Sequence, residues 1–434
     1  NAEIRGLTLQ YVDRRAERAF TLDGGRLIAQ RKEGALVVNA DLALLGGESG
    51  ITTLSANYTS PIGAPEAQFG VRIDGASAAD FATQSPAFAW MGALRAPISG
   101  AVRSGVRTDG TLAPLNATLQ IGAGVVQPND GTLPIPFEAA RSYFSYDSAL
   151  GLLQFDELSV SSKWVTARAE GTATMTGLRE GALEAMVGQF SMTHVRANPM
   201  GLYPEPVELE GAELDFRLQT APFQLDIGRL DLFDQGETRH AFGTLTAEPD
   251  GWRVAMDARA DQIDPARILA LWPEPLKTKT RNWLTQNLIE AQLKNADFAL
   301  RIEPGQRPRT YMAFDYENAS VRFLKNLPPI TGARGHASLD GTRFVVSLDD
   351  GEMEAETGGA LRLERSSFII PDTTVKGGAP AVVRLNARGP VTAALWTLDQ
   401  PPMTVMQRTG LPVDLASGDV VATGTLSFPL KKGS

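Results

Sequence analysis

The chain has 434 residues, of which 43% are hydrophobic and 21% are charged, so the bulk carries enough apolar side chains to fold and is not disordered. This length exceeds one compact domain, which predicts two or three units or one elongated, repeat-like body. The net charge of −9 argues against a nucleic-acid partner, and the absence of cysteine excludes disulfides and thiolate metal sites.

Alternation of apolar and polar side chains predicts an antiparallel meander over the first 75 residues. Leu36, Val38, Leu42 and Leu44 lie on every second position of one such stretch. Because successive side chains of a strand point to opposite faces, the stretch predicts a strand with one apolar and one polar face. Residues 76–94 are then predicted to form a short helical segment interrupted near Pro86.

Strands are predicted again from Ile98 to Ala260. The clearest is residues 164–175, in which apolar side chains alternate with Thr, Arg and Glu. In residues 223–233 the apolar phase changes between Ile227 and Leu230. Such a change of phase within one strand predicts a β-bulge near Gly228.

One region, residues 261–293, is predicted to be a helical insert. Asp264 is a good N-cap and is followed by proline at the first helical position. Pro273 and Pro275 are expected to end the first helix, and residues 277–288 predict a second one. We interpret the insert as a helical plug on the end or lip of a sheet, with a lipid-gating or membrane-facing role as the alternative.

Strands return after the insert and continue to residue 428, and Phe344, Val346 and Leu348 repeat the alternation. Residues 192–216 and 314–346 share a loose order of strand, proline-rich bend and glycine-led strand pair. This internal similarity favours one extended β body built from repeats of about four strands. The predicted division is residues 1–260, the insert 261–293, and residues 294–434.

Residue patterns typical of catalysis are absent from the sequence. His194, His240 and His336 are far apart and form no metal-ligand spacing, and no phosphate loop, nucleophile elbow or dinucleotide fingerprint occurs. Acidic residues between Asp349 and Glu356 are interpreted as a solvated turn and strand edge, because such charge commonly protects an edge. We therefore predict that the chain is not an enzyme and uses no cofactor or metal.

Three stretches resemble a known family. They are Pro273–Leu288 with its Arg-Asn-Trp-Leu core, Leu94–Gly100, and Leu327–Gly335 followed by Leu339-Asp340-Gly341. Together they resemble the helix and hairpin turns of the AsmA-like envelope proteins, the YhdP/TamB-type bridge-like lipid transfer proteins. The similarity covers most of the chain and rests on structural turns.

The resemblance implies an all-β fold: an elongated, twisted antiparallel sheet curled into a groove, with a short helical insert. It also implies a periplasmic segment that carries phospholipid acyl chains between the inner and outer membranes. The segment would be held by an N-terminal inner-membrane anchor and could contact other envelope proteins. The sequence begins without an initiator or signal region and has no apolar run of about 20 residues, so we expect the natural protein to extend beyond it.

The apolar members of the alternating strands are the candidate groove lining, since each buried methylene contributes about 0.8 kcal/mol without any specific polar contact. For each residue, contact with another part of the protein is the competing interpretation. At the level of the whole chain, the competing function is a non-enzymatic structural or scaffold protein of the cell envelope, and polysaccharide cleavage is a weaker third. The candidate residues are Leu36, Val38, Leu42, Leu44, Phe155, Val165, Met175, Leu214, Phe216, Leu218, Leu225, Ile227, Phe298, Leu300, Phe314, Phe344, Val346 and Leu348.

Overall fold

The computed structural model describes residues 1–14, 18–47, 50–82, 84, 86–177, 183–198, 201, 203–271, 278–375, 377–401 and 403–430. The chain divides into two units, which we describe separately. The first unit comprises Asn1–Ala255 with Ile302–Arg307, and the second comprises Met256–Arg301 with Pro308–Ser434. Within the described residues they contribute 22 strands of antiparallel sheet, so the predicted all-β, antiparallel fold class is confirmed.

In the first unit, each strand of the main sheet pairs with the next one along the chain, as the predicted meander requires. The exception is a small separate sheet formed by β6 (Leu94–Arg95), β9 (Gly124–Val126) and β10 (Ile135–Phe137). The strands are β1 (Ala2–Asp13), β2 (Arg18–Lys32), β3 (Ala35–Gly47), β4 (Gly50–Pro61), β5 (Ala67–Ser77), β6 (Leu94–Arg95), β7 (Pro97–Val106), β8 (Leu115–Ile121), β9 (Gly124–Val126), β10 (Ile135–Phe137), β11 (Ala139–Asp147), β12 (Leu152–Ser161), β13 (Val165–Thr176), β14 (Ala185–Ala197), β15 (Val207–Thr220), β16 (Phe223–Asp234) and β17 (Glu237–Glu248).

The second unit is also a meander, from β19 to β25, and β18 (Gly251–Ile263) runs from the first unit into it. Its remaining strands are β19 (Leu288–Ile302), β20 (Arg309–Val321), β21 (Ile330–Asp340), β22 (Arg343–Ala355), β23 (Gly359–Ile370), β24 (Pro380–Pro390) and β25 (Asp419–Pro429). The helices of the chain are α1 (Ala78–Ala82), a 3-10 helix (Pro86–Ala93), α2 (Pro265–Leu271), α3 (Thr278–Asn287), α4 (Val391–Asp399) and α5 (Val405–Thr409).

The predicted helices are largely where the sequence placed them. Asp264 caps α2, since its carboxylate accepts a hydrogen bond from the Ala266 amide at 2.9 Å. The predicted break at Pro273 and Pro275 lies outside the described residues. Helices α4 and α5 were not predicted, because no element was expected between residues 387 and 420.

The β-bulge predicted near Gly228 is confirmed. The β15–β16 register passes from Phe216 opposite Ile227 to Asp215 opposite Arg229, which leaves Gly228 unpaired. Because a bulge shifts the alternation by one position, Leu225 and Leu230 lie on the same face although one number is odd and the other even.

The buried core of the described residues is unusual in composition. More than half of the buried apolar residues are alanines, whereas most leucine and phenylalanine side chains remain partly exposed. The sheets are therefore not buried inside compact two-layer domains.

Candidate functional site

One face of the first unit's sheet is mostly apolar from β1 to β17, and we call it the first apolar face. Residues that pair directly across antiparallel strands lie on the same side of the sheet, so the register assigns each side chain to a face. Twelve of the candidate residues lie on it: Leu36, Val38, Leu42, Leu44, Phe155, Val165, Met175, Leu214, Phe216, Leu218, Leu225 and Ile227. Leu36 and Val165 are the most exposed of these.

A ladder of phenylalanine rings runs across the middle of this face. The ring of Phe155 lies 5.6 Å from that of Phe144 and 5.3 Å from that of Phe190, and Phe190 stacks on Phe216 at 5.6 Å. Gly171 makes room for the ladder, since an added Cβ would overlap the ring of Phe190 and the carbonyl oxygen of Gln189. Phe144 and Phe190 were not among the candidates, although the alternation of Met186, Gly188, Phe190 and Met192 on β14 carries the signal.

The second unit has an apolar face of its own, the second apolar face. Phe298 pairs with Met312, and Phe314 pairs with Ala337, which in turn pairs with Val346. The remaining six candidates lie on this face: Phe298, Leu300, Phe314, Phe344, Val346 and Leu348. The structure thus collects the candidate residues on one face in each unit. Their role as a groove lining stays a prediction.

Parts of both faces are covered by the chain's own short helices. In the first unit, Trp90 of the 3-10 helix packs on the cluster around Leu153 and Met175. In the second unit, Ile268 of α2 packs on the cluster around Tyr316, and Trp396 of α4 lies in the cluster with Met353. Large apolar side chains between these patches remain partly exposed to solvent.

A strap crosses the first apolar face; it consists of the 3-10 helix, β6 and the β9–β10 hairpin with its tip, residues 127–134. The strap is joined to the sheet beside β8 and β11, where the Gly122 amide donates to the Pro97 carbonyl and the Glu138 amide donates to the Ser161 carbonyl. At its other end, the Asn129 side-chain amide donates to the Glu248 carbonyl at 3.2 Å.

These two attachments require the first unit's sheet to curve around the apolar face. Six strand spacings separate β11 from β17, or about 29 Å in a flat sheet. The eight Cα–Cα steps from Gly131 to Ala139 reach about 29 Å only when fully extended, and bends at Thr132 and Glu138 shorten this path. Gly131 nevertheless lies against the carbonyl of Pro249, beyond the end of β17. The strap is on the apolar side, because the Trp252 ring that contacts its tip packs edge-on against Phe223.

The opposite faces carry paired charges. Arg229 contacts Glu213 at 2.7 Å and Asp215 at 2.8 Å, and these bonds raise its pKa. In the second unit, a hydrogen bond from Arg362 at 2.8 Å lowers the pKa of the Asp350 carboxyl below its ordinary value. Each sheet therefore presents a charged face to water and an apolar face on its other side.

The acidic stretch from Asp349 to Glu356 was predicted to lie in a turn and the strand leaving it, but the structure has no turn between Asp349 and Ala355. Residues 349–355 belong to β22, and the register skips Asp349 between the pairs Gly335–Leu348 and Arg334–Asp350. A bulge at this position interrupts the alternation and so resembles the end of a strand in the sequence.

A second unpredicted feature is a charged pair at the β16–β17 hairpin, where Arg239 contacts Asp234 at 2.7 Å and both are largely buried.

Neither metal ligation nor membrane spanning is indicated by the described part of the chain. No group of three or more His, Asp or Glu side chains is placed to hold a metal ion there. None of the helices described combines the length and apolar character needed to cross a bilayer. His240 and His336 instead contact single carboxylates, of Asp231 and Asp315.

The fold and the two apolar faces define a class of protein: antiparallel β-meanders in which one face of each sheet is apolar and only partly covered. A family model described as YhdP protein matches residues 154–434, and the chain belongs to the YhdP family, a member of the AsmA-like bridge-like lipid transfer group. No curated protein and no solved structure matches the chain. The family is one of cell-envelope proteins linked to lipid transport.

Proposed function

We propose that the two apolar faces bind the acyl chains of phospholipids. On this proposal the chain is a periplasmic segment of a bridge-like transport protein that carries phospholipid between the inner and outer membranes. Transfer along such a surface needs no catalytic residue and no cofactor. It needs an apolar surface on which each buried methylene is stabilised by about 0.8 kcal/mol.

The observation that carries the proposal is the contrast between buried alanines and half-exposed large side chains. Leu214 and Leu230 pair across β15 and β16 on the first apolar face, and neither is buried. A protein that filled this space with its own second layer would bury such residues first, since they contribute most to hydrophobic stabilisation. An acyl ligand supplies the missing contacts.

Location and partners belong to the same proposal. Membership in a cell-envelope family supports a periplasmic position and attachment to the inner membrane in the natural protein. Outer-membrane or other envelope proteins are the partners that a bridge of this kind needs at its far end.

A double substitution on the face tests the proposal. Leu214→Asp with Leu230→Asp places two carboxylates on the apolar face, and unpaired charge there is costly for an acyl chain to cover. The matched control is Thr172→Asp with Gln189→Asp, an exposed pair on the opposite face. Lipid extracted from the purified proteins is counted by mass spectrometry: the face variant should lose phospholipid, and the control should keep it.

Equal phospholipid in the two folded variants would contradict the proposal. The competing function, an envelope scaffold that acts through partner proteins, has one observation in its favour. The cluster beneath Trp90 is filled by the protein's own side chains, including Phe155 and Phe216. A scaffold predicts no stoichiometric phospholipid in any variant, wild type included.

A further inference from the structure

The two ends of the strap are held by different kinds of contact. Near its attachment to the sheet, Met91 lies in a buried cluster with Ala78 and Ile98, and Leu94 packs against that cluster. By contrast, no residue of the tip, 127–134, belongs to any of the four buried apolar clusters of the described residues. One end is therefore anchored in a core and the other is not.

Two polar contacts hold the tip across the face. The Asn129 side-chain amide donates to the Glu248 carbonyl at 3.2 Å, and the Trp252 indole N–H donates to the Leu133 carbonyl at 2.8 Å. Leu133 is 78% exposed, and the one buried side chain of the tip, Thr132 at 2% exposed, is polar and hydrogen-bonds within the tip. The tip therefore adds little apolar burial. Segments with few buried apolar contacts open at low free-energy cost.

The tip keeps its own conformation without these contacts. The Asn129 side-chain oxygen accepts hydrogen bonds from the amides of Gly131 and Thr132, both at 3.0 Å. The Thr132 hydroxyl donates to the Asn129 carbonyl at 2.8 Å. The tip is thus a preformed unit that can leave the β17–β18 turn as one piece.

We propose that the strap is a latch-controlled gate over the first apolar face, in which the tip swings away from the β17–β18 turn to let an acyl chain in or out sideways. The inference rests on the proposed function, because a gate needs a ligand to admit. The strap is anchored beside β8 and β11, and its other end is held by a latch made of Asn129 and Trp252. The latched end is the place where an acyl chain gains access. While the latch is closed, the strap covers the part of the first apolar face that lies beneath its tip.

The latch can be removed without disturbing the tip or the first apolar face. Asn129→Asp keeps the side-chain oxygen that accepts from the tip's amides but loses the donor to Glu248. Trp252→Phe keeps an aromatic ring against Phe223 but loses the N–H donor. The control is Asp130→Asn, which weakens an ion pair to Arg95 within the strap and leaves the latch intact.

A cross-link between the tip and the β17–β18 turn holds the strap closed. The wild-type chain has no cysteine, so Asp130→Cys with Asp250→Cys can be joined by a short reducible bismaleimide across the latch. Gln224→Cys with Thr246→Cys, paired on β16 and β17, takes the same reagent without bridging the face. Far-UV circular dichroism checks that each variant folds.

The measurement is the rate at which the 434-residue chain takes up an acyl-labelled fluorescent phospholipid from phosphatidylcholine vesicles. The Asn129→Asp/Trp252→Phe variant should load on the order of 10-fold faster, as expected for the loss of two hydrogen bonds. The latch cross-link should slow loading until the reagent is reduced, while both controls stay at the wild-type rate. Unchanged rates in the unlatched and cross-linked proteins, with normal lipid bound at equilibrium, would overturn the gate alone. Absence of lipid binding in the wild type would instead overturn the proposed function.

Discussion

Phe298 and Tyr311 are equally exposed, at 42% each, but lie on opposite faces of the same strand pair. Phe298 is opposite Met312, and Tyr311 is opposite Ala299, the next pair along the β19–β20 ladder. The two aromatic residues therefore separate the effect of exposure from the effect of the face. They form a matched pair for testing the second apolar face.

We expect Phe298→Asp to reduce bound phospholipid in the second unit, because it places a charge where the proposal puts an acyl chain. Tyr311→Asp should leave the bound lipid unchanged. Neither change should alter stability by much, since both side chains are substantially exposed. Lipid counted by mass spectrometry checks the first expectation, and urea unfolding checks the second. A similar loss of lipid in both variants would show that phospholipid binding does not depend on which face carries the charge.

Gly171 cannot be replaced by a larger residue without disturbing the packing of the phenylalanine ladder. An added Cβ would overlap the Gln189 carbonyl and the Phe190 ring, so Gly171→Ala should lower the free energy of unfolding by about 1–3 kcal/mol. Gly424 on β25 is the control, because no atom lies within 4 Å of where its Cβ would be. Gly424→Ala should be close to neutral by chemical denaturation. Equal costs at the two positions would contradict the assigned packing.

Helix α4 is held to the second apolar face by one large side chain. Trp396 is 8% exposed and packs with Met353 and Leu361, so Trp396→Ala should cost about 3–5 kcal/mol of stability. Leu398 of the same helix is 42% exposed, and Leu398→Ala should change stability by no more than about 0.5 kcal/mol. Denaturant unfolding compares them, and a small effect at Trp396 would rule out this role for α4.

Acid should weaken the second unit through Asp350. Because Arg362 lowers the folded-state pKa of this carboxyl below 3.8, the folded state binds fewer protons than the unfolded state near that pH. Its contribution to stability is therefore present above pH 3.8 and is lost as the pH falls through the folded pKa. Arg362→Gln should make stability less dependent on pH between about pH 5 and pH 3. Urea titrations across that range measure the slope; an unchanged slope would contradict the assignment.

Much of the fold could be predicted because strand alternation is a local signal. The change of phase after Ile227 gave the bulge at Gly228, and Asp264 with Pro265 gave the start of α2. The candidate residues could be assigned to a face for the same reason, since parity along a strand is fixed by the backbone.

What could not be predicted depends on tertiary contacts. Strands β6, β9 and β10 have two or three residues each, too few to show an alternation. The place of the strap depends on the curvature of the sheet, which the order of residues does not reveal. Helix α4 has nine residues, and helices this short depend on packing, here of Trp396, more than on propensity. Asp349 was misread because a bulge and a turn interrupt the alternation in the same way.

Photo-cross-linking maps where an acyl chain lies on the protein. A phospholipid with a photoreactive diazirine near the end of its acyl chain is loaded onto the 434-residue chain, irradiated, and located by peptide mass spectrometry. We expect cross-links on the apolar faces, at residues such as Leu214, Leu230 and Phe298, and none at Thr172, Gln189 or Tyr311. Cross-links distributed equally over both faces, or no labelling of a folded protein, would contradict the proposed binding of acyl chains to the apolar faces.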